Sequence, residues 1–104
     1  MGISELAQKL IDREDVGIAT WDDQEEVERK MRNEAKGIRK AFSEAEHRFH
    51  MINNDIAQMV ADQYSEGLER AIEMRAVYKK DLSRLSGDYY DIKQAISKAK
   101  HYLD

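Results

Sequence analysis

The chain has no cysteine, no proline and only five glycines in 104 residues. Without cysteine there is no disulfide framework and no thiolate chemistry. Helices exclude proline from their interiors and tolerate glycine poorly, so this scarcity fits a mostly helical chain. No segment alternates apolar and polar residues with period two, which leaves no room for a sheet. No window approaches the eighteen apolar residues of a spanning helix. The opening Gly2-Ile3-Ser4-Glu5 lacks the basic and apolar regions of a secretory leader. Leu6 stands where myristoylation of Gly2 needs Ser or Thr. The expectation is a cytoplasmic chain that does not enter membranes, with leaderless secretion left open. No Ser–His–Asp grouping, phosphate loop or glycine-rich turn is present, so neither enzyme activity nor a cofactor is expected.

What is present is charge and periodicity. Charged residues make up 37% of the chain and apolar residues 41%, with a mean hydropathy of −0.79. The apolar residues fall in ordered stripes, which disordered chains lack. The length suits one small domain. The net charge is −4, and the acids concentrate early: residues 1–35 hold ten acids against five bases. Nonspecific nucleic-acid binding depends on neutralising phosphates, so this balance argues against it.

The organising stretch is Ala35 to Met59. Ala35, Phe42, Phe49 and Ile56 occupy heptad position a, and Ile38, Ala45, Ile52 and Met59 occupy d. Such a seam has to pack on another helix. A second seam follows at Leu68, Ala71, Tyr78, Leu82, Leu85, Tyr89, Ile92, Ile96, Ala99 and Leu103, interrupted at an a position by Arg75. The two registers do not join, because Met59 and Tyr64 would both be d positions although five residues apart. A turn or local rewinding has to lie between them.

In chain order, residues 3–13 read as a short amphipathic helix with Ser4 as its cap. Residues 14–20 form a linker in which Val16 and Ile18 can dock on the long helix. Thr20 caps a long helix over 21–85, with a break expected near 53–55 or 64–67. Asp55 followed by Gln58 resembles a capping box for the first site, and Ser65-Glu66-Gly67 suits the second. Gly87-Asp88 reads as a further boundary, leaving a C-terminal helix over 88–103. An unbroken helix over 21–85 would be about 98 Å long at about 1.5 Å per residue. The expected fold is therefore all-α: a short N-terminal helix, then long amphipathic helices in an antiparallel hairpin or coiled coil, with self-association.

Three clusters are candidates for function. Trp21, Asp22, Asp23, Glu25 and Glu26 form an acidic face beside the only tryptophan, suited to docking a basic protein. Glu44, His47 and His50 carry a Glu-x-x-His step such as ferritin-like metal bundles use, although a single copy at outward heptad positions favours a solvated face. Lys79, Lys80 and Arg84 form a small basic patch. The apolar seam residues Ile38, Phe42, Phe49, Ile52, Ile56, Tyr78, Leu82, Leu85, Tyr89, Ile92 and Ile96 are read as core or oligomer contacts, with Tyr90 and Tyr102 as exposed contacts. The expected function is a small protein–protein interaction or assembly module of the adaptor, inhibitor or secretion-partner type. The competing reading is a metal protein using Glu44 and His47 at a subunit interface.

Overall fold

The computed structural model describes residues 2–104. The chain forms three helices, α1 (Glu5–Ile11), α2 (Trp21–Ala61) and α3 (Leu68–Lys100), and no strand among the described residues. Helices α2 and α3 fold back on each other as an antiparallel hairpin, and α1 packs against one end of it, mainly on α3. The molecule measures 64 × 18 × 15 Å, and its long axis is close to the length of α2, about 60 Å for its 41 residues.

Each helix starts where its sequence can satisfy free N–H groups. The Ser4 Oγ accepts from Ala7 N at 3.2 Å. At α2 the Thr20 Oγ1 accepts from Asp23 N at 3.1 Å, while Asp23 Oδ2 accepts back from Thr20 N at 3.2 Å. This reciprocal box closes two of the four orphan donors of the first turn.

Helices α1 and α2 end alike. Arg13 (φ 60°) and Gln63 (φ 54°) both turn into the left-handed region. Glu14 N then donates to Lys9 O at 2.8 Å, and Tyr64 N to Met59 O at 2.8 Å. Both are Schellman ends built without the usual glycine. Gly67 (φ 81°) then admits the chain to α3, and its backbone carbonyl accepts from Ala71 N at 3.0 Å.

The turn therefore occupies residues 62–67, at the second of the two places that the sequence allows. Helix α2 runs through Asn53-Asn54-Asp55 without a break. Asparagine loses only about half a kcal/mol per residue in a helix, and Ile52, Ile56 and Met59 are half-buried along that turn, where α2 runs beside α3. The boundary expected at Gly87-Asp88 is also absent: of the separate helix expected over 88–103, residues 88–100 continue α3, which ends at Lys100, and residues 101–103 are turn. A break there would strip Leu85, Tyr89 and Ile92 of their shared face. Asp88 lies mid-helix, 3.8 Å from Arg84 one turn earlier. Tyr64, placed on the seam by spacing, sits in the turn with its hydroxyl donating to Glu66 Oε2 at 3.3 Å.

Every residue of the Ala35–Met59 seam is buried or half-buried, and so is every apolar position of the second seam. The stripe is satisfied within one chain. The largest core lies at the α1 end, where Ala7 and Leu10 of α1 and Ile18 of the linker meet Val27, Met31, Ile92, Ala95 and Ala99. Val16 packs on this cluster too, so the linker is a strap across it. Alanine at 95 and 99 lets the helices approach closely enough to bury Leu10 and Ile92 almost completely.

Candidate functional site

The acidic face at the start of α2 divides into two parts. Asp23 belongs to the helix cap: its Oδ2 accepts from Ala19 N at 3.1 Å and from Thr20 N at 3.2 Å. The Ala19 and Thr20 backbone amides hold its carboxyl below the ordinary aspartate value of 3.8, because they favour the charged form. Trp21 is 63% exposed, and Asp22, Glu25 and Glu26 are exposed as well. Glu26 lies 3.8 Å from Lys30. What remains free for a partner is an indole flanked by Asp22 and Glu25.

Directly behind this face lies Gln24, a residue that sequence reasoning passed over. It is 7% exposed and the only buried polar residue among those described. Its Nε2 donates to Lys100 O at 2.8 Å and its Oε1 accepts from Leu103 N at 2.7 Å. One side chain thus satisfies Lys100 O, among the carbonyls that the end of α3 leaves orphaned, and the amide of Leu103 three residues beyond it. The signal was available: counting the heptad back from Ile38 and Met31 puts Gln24 at d, a polar residue at an inward position. Glu34 plays a similar part for α1, accepting from Ser4 N at 3.1 Å through Oε1. Its Oε2 is buried with no hydrogen-bond partner among the described residues.

The far end of the hairpin is built differently. From the middle of α2 to the middle of α3 no third element covers the two helices, and large apolar side chains face outward. Val60 is 61% exposed, Val77 56% and Ile72 44%, with Met51, Tyr64 and Met74 also exposed. Buried side chains in this half come down to Ala45 and Ala71, with Leu85 at its margin. Val60 and Ile72 follow the d positions Met59 and Ala71 on one flank of the seam, while Met51, Met74 and Val77 stand on the other.

The other candidates do not assemble. Glu44, His47 and His50 are all exposed on the outward face of α2, and His50 Nε2 lies 3.4 Å from Asn54 Nδ2. Among the described residues no three His, Asp or Glu side chains converge as a metal site would require. The basic patch is partly neutralised, since Arg84 lies 3.9 Å from Asp81 and 3.8 Å from Asp88. Tyr102, expected as an exposed contact, packs half-buried on the core, while Tyr90 is exposed. No described helix is long and apolar enough to cross a membrane. No family model, no curated protein and no solved structure matches the chain.

Proposed function

We propose that this protein is an interaction or assembly module, acting by docking helices rather than by catalysis. The observation that carries this reading is the uncovered distal half of the hairpin, where Val60, Ile72 and Val77 hold their apolar surface in water. Apolar burial contributes about 25 cal/mol per Å², so a helix laid across this half would recover stability that the isolated chain lacks. The geometry suits the helix-in-groove mode, in which an amphipathic helix adds itself to an existing pair. The acidic face with Trp21 supplies a second contact, suited to a basic surface.

Replacing Val60, Ile72 and Val77 together by serine tests the reading. These positions are exposed, so the variant keeps its fold. Association of the wild-type chain, followed by sedimentation and by capture on an immobilised copy, is expected to weaken in the variant. A wild type and a variant with the same sedimentation and the same captured proteins would sink the proposal.

A further inference from the structure

The two sides of the α2–α3 seam are not alike near the α1 end. On one side α1 and the strap cover the helices. On the other a hollow of about 410 Å³ stays open, floored by Ala35, Tyr89 and Ile96 and rimmed by Arg32, Lys36, Arg39 and Lys93. A second hollow shares Arg39 and Tyr89 with it and reaches Phe42 and Ser86. No carboxylate lines either, in a chain whose acids outnumber its bases by 21 to 17. Arg32 is held by Glu28 at 2.7 Å, and Lys93 Nζ sits 4.7 Å from the Tyr89 ring centroid. Lys36 and Arg39 pair with no carboxylate among the described residues.

The acids that would match this rim lie on the same helix. Along one stripe of α2, in steps of three and four, stand Asp22, Glu25, Arg29, Arg32, Lys36 and Arg39, all exposed. The stripe starts acidic and continues basic. Two copies laid antiparallel on it bring Asp22 opposite Arg39 and Glu25 opposite Lys36. Both pairings are centred between Lys30 and Met31, so a single register satisfies them, and a two-fold axis repeats each. Arg29 of each copy comes opposite Arg32 of the other near the axis, and the Glu28 carboxylate that holds Arg32 at 2.7 Å offsets part of that repulsion. Trp21 borders the stripe four residues before Glu25. Helical side chains lean toward their own N-terminus, so in this register the indole leans toward the partner's Phe42 and Tyr89 hollow.

We propose that this open side is the interface between two copies of the chain, the acidic start of each α2 seated on the basic hollow of the other. The acidic face is the second contact of the proposed function, here given the basic hollow of another copy as its partner; the distal half with Val60, Ile72 and Val77 takes no part, so either can fail alone.

Two charge-reversed chains test it, one carrying Lys36→Glu with Arg39→Glu and the other Asp22→Lys with Glu25→Lys. All four positions are exposed. Each variant alone brings like charges together and is expected to self-associate about tenfold or more weakly than wild type. Mixed in equal amounts, the two become complementary at all four contacts and are expected to dimerise again, less strongly as salt is raised. As a check independent of charge, a Glu25→Cys, Lys36→Cys chain should form a disulfide-linked dimer on oxidation. Those two cysteines lie about 16 Å apart along one helix and cannot bridge within it. A wild type that sediments as a monomer, variants that associate like wild type, or a mixture that stays monomeric would each overturn the proposal. So would binding of a labelled duplex oligonucleotide by a monomeric wild type at this rim.

Discussion

Ile92 and Ile72 lie on the same helix, about 30 Å apart at about 1.5 Å per residue, and their surroundings are opposite. Ile92 is fully buried among α1, the strap and α2, whereas Ile72 is 44% exposed beside the bare hairpin. The difference follows from the third layer. Two helices alone shield only a narrow stripe, and it takes α1 and residues 14–20 to close a core around Leu10 and Ile92. The α1 end therefore holds the three-layered core, and the turn end is a projecting arm held by a single seam. Stability and binding potential are divided between the two.

The largest effect expected from that division is on core substitution. Ile92→Ala should cost about 2–5 kcal/mol of unfolding free energy in urea titrations, against less than about 1 kcal/mol for Ile72→Ala. Comparable losses would mean that the arm is covered in solution. Next in size is Gln24→Ala, which strands Lys100 O and Leu103 N and should cost about 1–3 kcal/mol. Hydrogen exchange at the Leu103 amide should accelerate with it, while amides near residue 72 stay unchanged.

At the turn, Gly67→Ala should destabilise by about 1 kcal/mol, because a Cβ disfavours its left-handed backbone. Gln63→Gly should instead stabilise by less than about 1 kcal/mol, with part of the relief offset by unfolded-chain entropy. Gly87→Ala should stabilise by about 0.8–1 kcal/mol, since a Cβ there meets nothing within 4 Å; a loss would point to a break in α3. The smallest effect concerns pH. The bonds to Asp23 favour its charged form, so their contribution is complete above the ordinary aspartate value of 3.8 and is lost as pH falls below it. Thermal midpoints taken across that range should fall more for wild type than for Asp23→Ala.

The hairpin was legible in the sequence because a heptad seam is a local pattern, and the phase slip between Met59 and Tyr64 marked the turn region. The choice between residues 53–55 and 64–67 was not legible. Asp55 and Gln58 carry the same local capping signal whether or not a distant α3 supplies packing that keeps the chain helical. Gly87-Asp88 misled for the same reason. Within the acidic face, the exposure of Asp22, Glu25 and Glu26 follows from their charge, whereas Trp21, at an a position counted back from Ala35, is exposed because α2 begins there. The box role of Asp23 does not, because the usual pattern has Glu or Gln at that position. Gln24 depends on partners 76 and 79 residues away, and the basic rim needs Lys93 to arrive antiparallel beside Arg39.

The Gln24 bonds also bear on how this hairpin would respond to force. Two antiparallel helices pulled apart at their open end separate like a zipper, one contact loaded at a time. Gln24 sits at that open end and joins the first turn of α2 to residues 100 and 103, so it is a latch ahead of the first seam tooth. Pulling on residues 21 and 103 loads the latch and the α1 core before any part of the arm feels tension. Force applied across the arm, from near residue 51 to near residue 77, meets no such latch, and the two halves yield in opposite order.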